Sequence, residues 1–154
     1  MNTKSRDLDQ FYTTPIVAQW CIDILLSSYS SLTLNNEAFF IEPSAGKGAF
    51  LAAIPSANKV GFDIDPKDVA IVKQDFLTLD LSQYTNRGKL VFIGNPPFGK
   101  NASLAVKFFN HCAKHADIIA FIVPKSFLKP SISNRLNKYF KLISSTPTPP
   151  VFYA

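Results

Sequence analysis

The stretch KLVFIGNPPFGK, residues 89–100, joins a continuous apolar run to a rigid polar turn. The run is rich in residue types that favour a buried β-strand. Because proline has no backbone N–H, the strand cannot extend its hydrogen-bond ladder through Pro96 and Pro97. Proline also keeps the residue before it extended, and that residue is Asn95. The sequence therefore predicts a buried strand that ends at a fixed turn carrying an amide side chain.

Similar apolar runs recur along the chain. They predict buried strands at 38–42, 58–65, 70–76, 89–94 and 117–124. Most of these runs are apolar throughout rather than alternating, which is typical of strands buried on both faces. We therefore expect an α/β fold with a mostly parallel sheet and helices on both of its faces.

Apolar residues at helical spacing predict the helices between these strands. A first helix of about four turns begins with Thr14 as cap and Pro15 at the first helical position. A short apolar helix is expected through 50–54, and a longer one through 104–112. The last predicted helix covers 132–139, with Ser131 as its cap.

Length and composition limit the class of protein. The 154 residues make about one domain, and a hydrophobic content of 47% is sufficient for one core. No segment has about 18 unbroken apolar residues, and the polar start lacks the apolar stretch of a secretory signal. We therefore expect no membrane contact and a cytoplasmic location.

Charge is distributed unevenly along the chain. Residues 1–80 contain six Lys/Arg and ten Asp/Glu, a net charge of −4, whereas residues 81–154 contain ten Lys/Arg and one acid, a net charge of +9. A basic half of this kind suits a polyanionic partner, nucleic acid first. It is equally compatible with a surface whose lysines only increase solubility.

Cysteine and histidine give little indication of chemistry. Cys21 and Cys112 are too isolated for a disulfide framework, so we expect buried reduced thiols. His111 and His115 share a helix face, but without a carboxylate or a further cysteine nearby we expect a solvated face and no metal site.

The first predicted strand runs into EPSAGKG, residues 42–48, at the edge of the sheet where open α/β folds bind ligands. Gly46 and Gly48 permit a tight turn and close approach of a ligand. The third glycine of the dinucleotide fingerprint is replaced by Leu51, and no Gly-Lys-Ser/Thr phosphate loop is present. A pyrophosphate ligand is therefore not favoured, and a purely structural turn remains an alternative.

Acidic residues follow the next two predicted strands. Asp63 lies 17 residues after Gly46, near the distance at which an acid accepts hydrogen bonds from ribose hydroxyls. Asp75 is placed to bind the amine of an adenine, and Phe76 to stack on its ring. Each acid is also compatible with ordinary polar residues at a strand end. Together these features suit a ligand with a ribose, an adenine and a carboxylate but no phosphate, as in S-adenosylmethionine.

The turn after residues 89–94 offers acceptors for an amine. The side-chain oxygen of Asn95 and a carbonyl of the fixed turn form a pair suited to a planar NH₂ group. Phe98 supplies a face on which the ring of that amine can stack. An ordinary Asn-Pro-Pro turn is the alternative.

With NPPF at 95–98, EPSAGKG at 42–48 and DQFYTTP at 9–15, the chain resembles the class I S-adenosylmethionine-dependent methyltransferases that modify exocyclic amines. The resemblance covers residues 7–143 and is greatest to adenine-specific DNA methyltransferases. It implies a Rossmann-like fold, S-adenosyl-L-methionine as cofactor, no metal, and a nucleic-acid partner, with DNA favoured over RNA. Enzymes that methylate RNA or a protein glutamine share the Asn-Pro-Pro-aromatic signature, so these targets remain alternatives.

The resemblance also assigns roles to individual residues. Asn95 and the Pro96 carbonyl would bind the target amine, while Phe98 stacks on a base flipped from its helix. Pro97 completes this catalytic tetrapeptide. The residues implied in cofactor binding are Tyr12, Thr13 and Thr14 at the methionine part, Glu42, Ala45, Gly46 and Gly48 in the loop, Asp63 at the ribose, and Asp75 and Phe76 at the adenine.

Members of the resembled family continue for two further strands. The expectation is therefore a methyltransferase domain over 1–143 that lacks its last two strands, followed by an irregular tail at 144–154. A second chain that completes the domain, and a remnant without catalysis that at most binds cofactor or nucleic acid, are both consistent with this expectation.

Overall fold

Five parallel strands form one sheet in the computed structural model, which describes residues 12–29, 37–148 and 152–153. A short strand, β1 (Tyr12–Thr13), precedes them outside this sheet. The five are β2 (Ala38–Glu42), β3 (Lys59–Asp63), β4 (Val72–Lys73), β5 (Lys89–Gly94) and β6 (Ile118–Phe121). Their spatial order is β4-β3-β2-β5-β6, so the chain changes direction across the sheet between β2 and β5. The predicted α/β, Rossmann-like class is confirmed.

The two central strands are buried on both faces. Phe40 of β2 lies opposite Val91 of β5, and both contribute to the core on one face of the sheet. Their neighbours Phe39 and Leu90 contribute to the core on the other face. Alternating side chains that are apolar on both sides explain why these runs lack a polar period.

Two helices cover the first face. They are α1 (Pro15–Ser28) and α2 (Ala49–Ala53), and their buried residues pack against β2 and β5. The start of α1 agrees with the prediction, because the Thr14 hydroxyl accepts a hydrogen bond from the Val17 amide at 3.3 Å and Pro15 is the first helical residue.

The second face is covered by α3 (Ser103–Ala113) and two short 3₁₀ turns, Phe76–Thr78 and Leu81–Tyr84. The ring of Phe76 stacks on Phe108 of α3 with 5.5 Å between centroids. The residues that follow β4 thus belong to the core of this face.

The last predicted helix is wrong in its extent. In this part of the chain the α-helix is limited to α4 (Pro130–Ser133), and Lys129 rather than Ser131 occupies the N-cap position. The Asn137 amide donates to the side-chain oxygen of Asn110 at 2.8 Å, and the Asn137 side chain accepts from the Tyr139 amide at 2.9 Å. These side-chain bonds satisfy the backbone that the predicted helix would have used.

Near the end of the chain, β7 (Phe152–Tyr153) pairs antiparallel with β1, with residue 12 opposite 153 and residue 13 opposite 152. The tail predicted as irregular therefore contains a short strand, while residues 144–148 have no helix or strand. Within the described ranges, no helix has the length and apolar character needed to cross a membrane.

Candidate functional site

A cleft opens at the carboxyl ends of β2, β3 and β5, next to β1. Open parallel sheets bind ligands at this edge, beside the point where the strand order reverses. The residues that line the cleft are Tyr12, Thr13, Ser44, Ala45, Gly46, Lys47, Ala49, Phe50, Asp63, Asn95 and Pro97. Seven of the predicted site residues are thus brought together: Tyr12, Thr13, Ala45, Gly46, Asp63, Asn95 and Pro97.

The glycine turn after β2 forms the floor of the cleft. Gly46 and Gly48 have φ angles of +55° and +83°, in the left-handed region that favours glycine. A Cβ atom on Gly46 would lie 2.9 Å from Cδ1 of Tyr12, so the ring of Tyr12 rests directly on the turn. The Gly48 amide closes the turn by donating to the Ala45 carbonyl at 2.7 Å. Glycine at position 46 is therefore what lets β1 approach the loop.

Asp63, at the end of β3, holds this turn in place. Its side chain is 3% exposed. One carboxylate oxygen accepts from the Gly46 amide and the other from the Asp65 amide, both at 2.8 Å. Since a carboxylate has about four acceptor positions, the same oxygens can still accept hydrogen bonds from a ligand. The predicted ribose acid thus lies at the cleft and also has a structural role.

Glu42, the last residue of β2, is buried beneath the site. It is 1% exposed, and neither carboxylate oxygen has a hydrogen-bond partner among the described residues. Burial raises the pKa of this carboxyl well above its usual range. The nearby backbone N–H of Leu51 does not meet hydrogen-bond geometry but still offsets part of the rise, and the charge of Asp63 adds to it. Glu42 was predicted as a cofactor residue, but it does not line the cleft.

The two residues predicted for adenine lie in different environments. Asp75 is exposed and caps the following 3₁₀ turn, where its side chain accepts from the Leu77 amide at 3.0 Å. Phe76 is 1% exposed, and its ring is packed between core residues such as Phe108 and Phe92. In this packing the ring is covered by core residues, and its stacking on adenine stays a prediction. Neither residue lines the cleft.

The Asn-Pro-Pro-Phe turn forms the opposite wall. The side-chain amide of Asn95 donates to the Thr13 hydroxyl at 3.3 Å, which connects the turn to β1. Pro97 lines the cleft, whereas Pro96 is buried behind it. The Phe98 carbonyl accepts from the Leu104 and Ala105 amides at 3.0 and 3.2 Å, so the start of α3 fixes the end of the turn. Its ring is half-buried against residues of α3 and does not line the cleft.

The backbone after this turn is unusual. Asn101 and Ala102 have φ angles of +54° and +57°, and Gly99 has +71°. Left-handed conformations at residues with a Cβ cost of the order of 1–3 kcal/mol each and tend to occur at functional sites. The start of α3 is therefore held in a strained position next to Phe98.

Two residues predicted to bind the cofactor, Thr14 at its methionine part and Gly48 in the loop, stabilise the local structure instead of facing the cleft. Thr14 caps α1 through its hydroxyl. Gly48 lies at the N-cap of α2, where a Cβ would contact Ile71 at 3.5 Å. Both positions support the walls of the cleft without lining it.

Sequence reasoning missed four residues that line the cleft: Ser44, Lys47, Ala49 and Phe50. All four lie within or just after EPSAGKG, so their position in the motif was the available signal. Lys47 is exposed, and its ammonium group lies 4.8 Å from the centroid of the Tyr12 ring. It brings a positive charge to the mouth of the cleft. No group of three or more His, Cys, Asp or Glu residues in the described ranges is arranged to hold a metal ion.

A comparison with protein-family models gives a match to the EDM2 methyltransferase-like domain over residues 58–145, more than half of the chain. The matched segment includes Asp63, Asp75 and the tetrapeptide 95–98. A comparison with curated proteins found no match. The matched region extends from the start of β3 through α4, the part of the fold that carries the Asn-Pro-Pro-Phe wall. The chain therefore belongs to the family of EDM2 methyltransferase-like domains.

Proposed function

We propose that this chain is an S-adenosylmethionine-dependent methyltransferase that methylates the exocyclic amine of adenine in DNA. One observation carries the proposal: Asn95 of the Asn-Pro-Pro-Phe turn and the Gly46 turn line the same cleft. The bond from Asn95 to Thr13 keeps the two walls together. A cofactor site and an amine site are thereby adjacent, as a direct transfer requires.

The cleft suits the cofactor chemically. Asp63 presents a buried carboxylate with acceptor positions for two ribose hydroxyls, and Lys47 offers a cation for the methionine carboxylate. Because Gly46 has no Cβ, the turn does not fill the space beneath the Tyr12 ring. Asp63 and Lys47 would hold the cofactor, which when bound would supply a methyl group on a positively charged sulfur for transfer to the amine nitrogen. The electrons of the broken carbon–sulfur bond would stay on sulfur, and the amine would release one proton to solvent.

The tetrapeptide would act by positioning the amine. The side-chain oxygen of Asn95 and the carbonyl of Pro96 each accept one N–H of the target NH₂ group. These bonds hold the amine in the cleft and turn its lone pair toward the methyl donor. Consecutive prolines reduce the conformational freedom of this wall, so little reorganisation is needed at the moment of transfer.

Nucleic acid is the favoured target because of the charge on the same half of the molecule. From residue 81 onward Asp117 is the only acid, and it lies at the opposite edge of the sheet, where it accepts from the Leu90 amide at 2.8 Å. The half of the chain that carries Asn95 therefore has a net charge of +9, which favours contact with phosphates.

A substrate panel with a methyl-labelled cofactor tests the proposal. Duplex DNA, single-stranded DNA, RNA of the same sequence and a glutamine-containing protein are supplied in parallel, with Asn95→Ala as the inactive control. Label on N6 of adenine in DNA is the expected result. Label found only in RNA or only in protein would contradict the DNA assignment, and a folded chain that fails to bind cofactor by calorimetry would contradict the enzyme assignment.

A further inference from the structure

A small cap stands beside the Asn-Pro-Pro-Phe wall. It consists of residues 98–109 and 123–141, packed around a separate apolar cluster. Its buried members are Ala102, Ala105, Val106, Phe127 and Ile132, with Phe98 and Phe109 packed against them. Because Phe98 belongs both to the tetrapeptide and to this cluster, the cap is in direct contact with the candidate amine site.

The cap is anchored by tertiary contacts. The Asn110 side chain, at its border on α3, donates to the Arg135 carbonyl at 2.9 Å and accepts from the Asn137 amide at 2.8 Å. The Arg135 guanidinium reaches the Asn101 carbonyl at 3.5 Å. The ring of Phe140 packs edge-on against Phe109 with 5.8 Å between centroids. The segment 135–140 therefore has a fixed backbone without being helical.

The outer surface of the cap is strongly basic. Its cations are Lys100, Lys107, Lys125, Lys129, Arg135, Lys138 and Lys141, and all seven are exposed. None of them forms an ion pair with a residue that the structure describes, where the one ion pair is Lys67–Asp65. The cap contains no acidic residue. Seven uncompensated charges on about thirty residues suit a polyanion more than they suit simple solubility, for which mixed signs are usual.

An aromatic side chain stands among these cations. Tyr139 is 97% exposed, although its neighbours Asn137 and Phe140 are held by Asn110 and Phe109. Its own amide is fixed by the Asn137 side chain at 2.9 Å. Lys138 and Lys141 lie on either side of it in the sequence. A fixed backbone thus presents an uncovered ring that is flanked in the sequence by two positive charges.

We propose that the cap binds a single nucleic-acid strand next to the target base, with Tyr139 stacking on one base and the cationic side chains contacting phosphates. An aromatic platform among cations is how proteins hold single strands without reading their sequence. This inference rests on the proposed function for the identity of the target base, since a base extruded into the cleft needs its flanking strand to be held. Binding itself can be measured without any methyl transfer.

Fluorescence anisotropy with a labelled 12-nucleotide single-stranded DNA tests the stacking role. Tyr139→Ala is expected to raise the Kd by about tenfold or more, the usual effect of losing one base stack. Tyr139→Phe keeps the ring and is expected to bind like the parent chain. An unchanged Kd in Tyr139→Ala, or an equal loss in Tyr139→Phe, would overturn the stacking role.

A salt series tests the phosphate contacts. The double variant Lys138→Ala/Lys141→Ala is expected to reduce the slope of log K against log salt by about 1.4, since each lost contact to a single strand accounts for about 0.7. The matched control is Lys73→Ala/Lys114→Ala, which removes the same charge from exposed positions outside the cap and is expected to leave most of the slope intact. Equal slopes for the two double variants would overturn the assignment to the cap.

Two further readouts separate this inference from the proposed function. Polyglutamate is added as a competitor at the same total negative charge as the oligonucleotide. If it displaces the oligonucleotide, the cap is a site for acidic polypeptides instead of a nucleic-acid strand. Cofactor titration is run on the same variants. If Tyr139→Ala still binds the strand normally while cofactor binding and methyl transfer are intact, the inference alone is overturned. If strand binding depends on Tyr139 but the chain does not bind cofactor, the proposed function alone is overturned.

Discussion

The two walls of the cleft are built by different means. On the turn side, the Asp63 side chain holds the backbone of Gly46 and Asp65 and faces the cleft at the same time. On the amide side, backbone atoms do the holding: two prolines fix the turn, and α3 fixes the Phe98 carbonyl through two amides. Substitutions on the turn side should therefore damage fold and cofactor binding together. On the amide side, side chains can change with little effect on stability.

The largest effect is expected for Asn95→Ala. Removal of a hydrogen-bonding group aimed at the reacting centre lowers transfer by about 100- to 1,000-fold. The lost hydrogen bond to Thr13 should lower the unfolding free energy by about 1 kcal/mol. Methyl transfer is measured with labelled cofactor, and cofactor affinity by calorimetry should remain nearly unchanged.

Thr13→Val is the companion variant for this wall. It removes the hydroxyl that accepts from Asn95 but leaves the Asn95 amide itself, so transfer should fall less than in Asn95→Ala. Loss of cofactor binding together with transfer in Asn95→Ala would place Asn95 on the cofactor rather than on the amine. The two walls would then share one role.

Asp63→Ala is expected to reduce stability and cofactor binding together, unlike Asn95→Ala. It leaves the Gly46 and Asp65 amides without their buried acceptor, which should lower the unfolding free energy by about 3 kcal/mol. Cofactor binding should be lost in the same variant, because the turn is no longer held. Urea unfolding and calorimetry measure the two effects. Asp65→Ala, at an exposed surface ion pair, should stay within about 1 kcal/mol, and equal losses for both would show that Asp63 has no special structural role.

Gly46→Ala separates backbone strain from the shape of the cleft. An alanine at φ +55° costs about 1–2 kcal/mol, and its Cβ would also displace the Tyr12 ring that lies 2.9 Å away. Gly48→Ala carries similar strain at φ +83°, but its Cβ meets Ile71 at an ordinary 3.5 Å. Gly46→Ala should lose at least as much stability as Gly48→Ala in thermal unfolding, and only Gly46→Ala should weaken cofactor binding. Equal weakening would mean that Tyr12 does not define the cleft.

The strands and the Asn-Pro-Pro-Phe wall were predictable because their sequence signals are local. An unbroken apolar run predicted β5, and the missing N–H groups of Pro96 and Pro97 predicted where it ends. The start of α1 was predictable for the same reason, since Thr14 as N-cap and Pro15 as first helical residue act within one turn of helix.

The remaining features depend on residues far apart in the sequence. Asn110 satisfies the backbone of Asn137, and no periodicity at 132–139 reveals that contact. The Phe76 ring belongs to the core because Phe108 lies opposite it, which an aromatic residue after a strand does not indicate. The charge asymmetry was visible in the sequence, but packing of 123–141 against α3 is what gathers the cations into one cap.

The smallest effect is expected for Glu42→Gln. Glu42 is buried beneath the cleft, and the substitution should change the free energy of unfolding. Because burial raises the pKa of Glu42, the folded chain favours the protonated carboxyl more than the unfolded chain does. The stability that this group contributes is therefore fully present below the unfolded pKa and is lost as pH rises through the folded pKa. A glutamine has nearly the same shape and cannot ionise, so it avoids this loss.

Thermal unfolding of the parent chain and Glu42→Gln between pH 4 and pH 8 measures the effect. The variant should gain little at pH 4 and about 1–2 kcal/mol at neutral pH, because a buried amide costs less than a buried carboxylate without a partner. The control is Glu37→Gln, an exposed carboxyl just before the same strand, which should change stability by less than about 0.5 kcal/mol at every pH. A difference between Glu42→Gln and the parent that does not grow with pH would show that Glu42 meets a donor beneath the cleft.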